Sequence, residues 1–183
     1  MILDKNNPDT INKVAQIIVN GGTAVLPCDT IYGFSSIIGN PEPLKQLKGR
    51  DASKPFLVLA TLEIAKDMCI SIPEPILKSW PASLTAILNT KDGKTTGIRV
   101  PDDPFLQSLI LKIGKPIYST SVNISGEPSL LDFDSINEKF GSKVDVLVKG
   151  QQIQGTTPST LVDATSEPFK ILRQGSFQFS ESI

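Results

Sequence analysis

The sequence predicts an α/β fold, a mixed sheet flanked by helices, and three observations carry that expectation. Segments with helical spacing alternate with short apolar runs along most of the chain. The last third closes on a run of strands with no helix between them, which makes part of the sheet antiparallel. A length of 183 residues, 39% hydrophobic and 20% charged, is enough to bury a core in one unit. No internal repeat, low-complexity tract or long linker divides the chain, so one domain over residues 1–183 is expected.

The elements follow in order. A helix is expected over 9–20, where Ile11, Val14, Ile17 and Ile18 keep helical spacing behind Asp9 or Thr10 as cap, with Gly21 and Gly22 as the stop. "TAVLP" then reads as a short buried strand. A short helix is expected at "PEPLKQLK", a strand at "KPFLVLA", and helices at "TLEIAKDMC" and "PEPILKSW". Strands at "LTAILNT" and "GIRVP" lead to a helix at "DPFLQSLILKIG", a strand at "KPIYSTSV" and a helix at "SINEKFG". The closing strands are "VDVLV", "STLVDAT" and "FKILRQ".

Charge and composition narrow the function. The 18 basic and 19 acidic residues leave a net charge of -1, so no overall field drives binding to nucleic acid or to an anionic membrane, and any anion site is local. "MILDKNNPDT" has neither the basic start nor the apolar core of a signal peptide. No stretch approaches the roughly 18 apolar residues of a membrane span. A cytoplasmic protein without membrane contact is expected. Cys28 and Cys69 match no metal or redox spacing and read as buried free thiols. The chain has no histidine, which removes Ser-His-Asp and Cys-His nucleophile systems and leaves chemistry to Lys, Arg, Ser, Thr, Asn, Asp and Glu.

Five stretches carry polar groups in places that a plain core does not explain. "LKGRDASKPFLVLA" gathers Lys48, Arg50 and Lys54 in front of a buried strand, either as a solvated loop or as an anion site. In "YSTSVNISGEPS" a period of two puts Ser119, Ser121 and Asn123 on one face before Ser125 and Gly126 break the run. That is a polar edge running into a turn, or a set of hydroxyls and an amide suited to phosphate oxygens. "LPCDTIYGFSS" ends a strand at Pro27 and adds Asp29, as a turn clamp, and Thr30. "GIRVPDDP" sets Arg99 between Ile98 and Val100, facing solvent or offering its planar fork to a carboxylate. "PSTLVDATSEPFKILRQGS" pairs Ser159 with a strand-borne Arg173.

In order, "PCDTIYGF", "KGRDASKP", "WPASLT", "GIRVP", "STSVNISG", "STLVDAT" and "ILRQGS" resemble the YrdC-like family, whose members synthesise threonylcarbamoyl-AMP. The resemblance runs from about residue 8 to 176. Its specific mark is a Lys-x-Arg and Ser-x-Asn tetrad, here Lys48, Arg50, Ser121 and Asn123. It implies a twisted, mixed open sheet around a positively lined cavity, in the short single-domain form. The chain departs from the family pattern at Pro81-Ala82-Ser83, where Pro-Gly-Pro is usual, and at Asp103, where many relatives carry histidine.

The resemblance also implies a reaction: L-threonine, bicarbonate and ATP give threonylcarbamoyl-AMP and pyrophosphate, for modifying adenosine 37 of tRNAs that read codons beginning with A. Lys48 and Arg50 would then hold phosphates and the developing carbamate, Lys54 would reach the nucleotide, and Ser121 with Asn123 would bind phosphate oxygens. Threonine would lie among Thr30, Arg99, Ser119 and Ser159, with Thr95 and Arg173 toward ATP. Magnesium is expected with ATP, held by phosphates and water. Downstream tRNA threonylcarbamoyl-transfer proteins would be transient partners, with tRNA contact weak. The rival of another class is a double-stranded RNA or tRNA-binding module of the same fold; the net charge of -1, with two tyrosines and one tryptophan, argues against dedicated RNA readout. A related carbamoyl-transfer domain of hydrogenase maturation comes fused to zinc-finger and acylphosphatase-like modules that this sequence does not contain.

Overall fold

The computed structural model describes residues 1–49, 55–150 and 157–180. Its strands are β1 (Ile2–Asp4), β2 (Ala24–Leu26), β3 (Gly33–Ile37), β4 (Leu57–Leu59), β5 (Leu84–Asn89), β6 (Thr95–Arg99), β7 (Ile117–Ser121), β8 (Val146–Lys149), β9 (Thr160–Asp163) and β10 (Lys170–Arg173). Its helices are α1 (Thr10–Val19), α2 (Glu42–Lys48), α3 (Leu62–Met68), α4 (Glu74–Ser79), α5 (Pro104–Ile113) and α6 (Phe133–Phe140). The strands form one sheet in the order β1-β8-β2-β3-β7-β4-β6-β5-β9-β10. Parallel pairs such as β4 with β6 and antiparallel pairs such as β5 with β6 share that sheet, so it is mixed as expected.

Side-chain alternation sorts the helices onto two faces. Ala24, Leu26, Val146 and Val148 pack with α1 and α5 in one apolar cluster. Their neighbours Val25 and Leu147 point the other way, into a cluster with Leu44 and Leu47 of α2 and Ile136 and Phe140 of α6. Val58, Ala86, Ile98 and Val162 share that second face with α3 and α4. On the first face, α1 and α5 cover only the half of the sheet that ends at Ile117 and Leu59. Beyond β4, alternation leaves Leu57, Gly97, Arg99, Thr85, Ile87 and Leu161 on that face with no helix over them among the described residues. The site lies in this gap.

The helices form where apolar spacing and caps agree. In α1 the buried Val14, Ala15 and Ile18 make one stripe. In α5 the stripe is Phe105, Leu106, Leu109, Ile110 and Ile113; Asp103 accepts the Phe105 and Leu106 amides at its start, and Gly114, at φ 70°, ends it. Asp103 also takes Lys5 Nζ at 2.8 Å, so this residue is both a helix cap and an ion-pair partner.

Two strands lie where none is expected. Past the turn read at Asp29, the stretch "LPCDTIYGFSS" returns to strand: β3 begins at Gly33, and its buried Ser35 and Ser36 break the apolar pattern that would reveal it. It forms because β2 and β7 pair on both its sides. β1 is three residues long and is held by β8 far along the chain. β6 starts and ends two residues earlier than "GIRVP" suggests, because the hairpin closes at Thr90 and Lys94 and Thr95 pairs with Asn89. Arg99 therefore ends its strand. α6 begins at Phe133 because Asp132 caps it.

Candidate active site

A cavity of about 520 Å³ occupies the uncovered half of the first face. Strand register lays out its floor. Gly97 lies beside Ile87, and Leu57 beside Ser119; because Val58 pairs with Ile98, Gly97 and Leu57 share one rung. One step along the strands on one side come Arg99 and Thr85, and one step on the other side come Thr95 and Ser121. Arg99 and Ser121 are thus two rungs apart, about 13 Å measured along the strands at about 3.3 Å per residue. The cavity has two polar ends and a middle in which, among the described residues that line it, Ser119 is the one polar side chain beside Leu57, Gly97 and Ile87 on that rung.

At the first end, Arg99 is 4% exposed. Its Nη1 donates to Thr30 Oγ1 at 2.9 Å and its Nη2 donates to Asp29 Oδ1. Among the described residues Arg99 Nε has no partner. Asp29 also accepts from Ser83 Oγ at 3.1 Å, and that fixes the carboxylate that positions the guanidinium. Ser159 Oγ and Thr85 Oγ1 lie 2.7 Å apart. Arg173 reaches in from β10 and donates through Nε and Nη2 to the Ser159 carbonyl, at 3.0 and 2.9 Å. Burial, and then the nearby charge of Arg99, hold the Arg173 pKa below its ordinary value. Cys28 lines the same end, and burial pushes its thiol up to about 12 against the opposing pull of Arg99. Cys28 and Cys69 are both buried and free, as expected.

At the other end, Lys48 is buried at the close of α2. Its Nζ donates to the Ser121 carbonyl at 2.9 Å, to Asn123 Oδ1 at 2.6 Å and to Ser121 Oγ at 3.3 Å. Ser121 Oγ also donates to Asn123 Oδ1 at 2.6 Å. The amide nitrogen of Asn123 donates to the Ile124 and Glu127 carbonyls at 2.9 and 2.7 Å. Asn123 thus fastens the turn and aligns Lys48 and Ser121 at once. Of the sequence-derived candidates, Thr30, Thr95, Arg99, Ser119, Ser121, Ser159 and Arg173 line the cavity. Lys48 and Asn123 reach it through Ser121. Arg50 and Lys54 lie outside the described residues.

The family model described as "Telomere recombination", for Sua5, YciO and YrdC proteins, matches residues 16–175. The chain belongs to the Sua5/YciO/YrdC family. A threonylcarbamoyl-AMP synthase of Pyrococcus abyssi is 27% identical over 188 residues, covering 93% of this chain and 55% of the relative. One of Vibrio vulnificus is 28% identical over 184 residues, covering 90% of this chain and 98% of the relative. The solved structure of P. abyssi Sua5 complexed with L-threonine superposes with a TM-score of 0.86 at 25% identity, covering 96% of this chain and 57% of that one. Escherichia coli YciO shares the fold with a TM-score of 0.85 at 23% identity, covering 97% of this chain and 95% of that one. The chain spans 55% of the length of the Pyrococcus relative and 55% of that from Bacillus subtilis.

In this Sua5/YciO/YrdC chain, several residues in or behind the cavity escape a reading of the sequence. Asp29 reads there as a turn clamp, whereas it is the ion-pair partner of Arg99. Thr85 had one signal, a lone hydroxyl inside the apolar "LTAIL". Gly97 had another, a glycine inside a strand. Ser83 had none. Among the described residues no group of three or more Cys, Asp or Glu side chains could hold a metal ion, and no helix is long and apolar enough to cross a membrane.

Proposed function

We propose that this chain is an L-threonylcarbamoyladenylate synthase, a nucleotidyltransferase that forms threonylcarbamoyl-AMP and pyrophosphate from L-threonine, bicarbonate and ATP. The observation that carries the reading is Arg99: a buried guanidinium at the end of an open cavity, braced by Thr30 and Asp29, with Nε unpartnered among the described residues. A buried donor left unpaired costs about 1–3 kcal/mol, which a carboxylate lying side-on to Nε and Nη2 would recover. The relatives named threonylcarbamoyl-AMP synthase, and the Sua5 structure with L-threonine, support the same assignment.

The residues then divide the work. Arg99 takes the threonine carboxylate, with Thr30, Ser119 and Ser159 beside it. Lys48, Ser121 and Asn123 stand at the anion end and would form the catalytic group with Arg50; Thr95 and Lys54 would add ATP contacts, and Arg173 would reach ATP from the Arg99 end. The threonine amine attacks the bicarbonate carbon with loss of water; a carbamate oxygen then attacks the α-phosphorus and pyrophosphate leaves. Holding the two anions together lowers the barrier by proximity and charge neutralisation, so no covalent nucleophile is needed. The described lining offers hydroxyls and guanidinium groups but no carboxylate. Magnesium accompanying ATP would therefore take its ligands from phosphate oxygens and water, and supply further neutralisation.

The product would serve tRNA adenosine 37 through cytoplasmic transfer proteins that meet this chain transiently. The test is pyrophosphate release. It should require both L-threonine and bicarbonate; release that proceeds equally well without threonine overturns the proposal.

A further inference from the structure

In the middle of the cavity floor, between Ile87 and Leu57, one position carries no side chain. Gly97 sits in β6 with no positive φ to demand glycine. A Cβ placed on it would meet Thr85 Cγ2 at 3.6 Å and Leu57 Cβ at 4.0 Å, which is ordinary contact. Packing therefore does not exclude a side chain either, and glycine is a poor strand residue. What a side chain would do is stand up from the floor into the cavity, on the rung between Arg99 and Ser121. Gly33 is different, because its Cβ would press on Ser119 Oγ at 2.8 Å; there the glycine is required by the neighbouring strand.

We infer that Gly97 is a specificity-determining residue: its missing side chain is the clearance through which the portion of a ligand joining a carboxylate at Arg99 to an anion at Ser121 crosses the sheet. The inference rests on the synthase reading. Two separate substrates can occupy the two ends without meeting over Gly97, whereas an acyl-phosphate joining them must pass over it. A side chain at 97 should hinder the joining step more than the loading of either substrate.

The experiment compares the parent chain with Gly97→Ala and Gly97→Val, measuring melting temperature and threonine-dependent pyrophosphate release. Both variants should melt at or above the parent temperature. Turnover at saturation should fall at least threefold in Gly97→Ala and at least tenfold in Gly97→Val, while the KM values for L-threonine and ATP stay within about threefold. Parent-like turnover in Gly97→Val overturns the inference. So does a loss of turnover matched by a lower melting temperature in both variants, which would give the glycine to the sheet. A raised threonine KM with turnover kept would place the obstruction at the Arg99 end and overturn it too. A parent chain with no threonine-dependent release strikes the synthase reading first, and the inference falls with it.

Discussion

Arg99 and Asn123 show how differently two polar residues serve one cavity. Arg99 presents a donor, Nε, that is unpartnered among the described residues, so Arg99→Ala should raise the threonine KM by roughly thirtyfold, the equivalent of about 2 kcal/mol for a charge-assisted pair, with the ATP KM nearly unchanged. Separate titrations of the two substrates check this. Asn123 also braces the protein that surrounds the anion end: Lys48, Ser121, Ile124 and Glu127 all bond to it. Asn123→Ala should cost about 2 kcal/mol in urea unfolding, because it takes one acceptor from the buried Lys48 ammonium and unfastens the turn at Ile124 and Glu127. The period of two in "STSVN" made that polar row visible in the sequence. The pairing of Asp29 with Arg99 was not visible, because it joins a loop to a strand seventy residues away and neither residue's neighbours record it.

Elements with local signals were legible, and elements defined by distant partners were not. α5 announces itself through its stripe, Asp103 and Gly114. β3 has no such signature, since Gly33 and two buried serines become a strand only when β2 and β7 flank them. Caps supply two predictions at this scale. Asp103→Ala removes both the amide acceptor of α5 and the partner of Lys5, and should lower the melting temperature by roughly 4 °C in calorimetry. Hydrogen bonds from Ser135, its side chain first and then its backbone amide, hold the Asp132 carboxyl below its ordinary 3.8. A depressed carboxyl contributes stability above its ordinary pKa and loses it as pH falls through the folded value. The melting temperature of the parent relative to Asp132→Asn should therefore decline below about pH 4, as a series of melts from pH 6 to pH 3 would read.

At the scale of the whole molecule, the sequence conveyed the alternation of helices and strands but not that α1 and α5 stop halfway across their face. Helix length and periodicity carry no record of where on a sheet a helix will land. Both thiols are buried, Cys28 at the edge of the cavity and Cys69 away from it: burial raises Cys28 to about 12 and Cys69 to about 11. Iodoacetamide at pH 8 should therefore label neither in the native protein, and label both at the rate of global unfolding. The uncovered half has a different consequence, written in heat capacity. Leu57, Ile87 and Leu161 lie wet on the cavity floor among groups that handle only charge and hydrogen bonds. A ligand bridging the two polar ends must dry these side chains, so association should carry a negative heat-capacity change even where its enthalpy is set by ion pairing. Titration calorimetry at several temperatures would show it as a slope, a thermal signature of leucine and isoleucine in a reaction that uses neither.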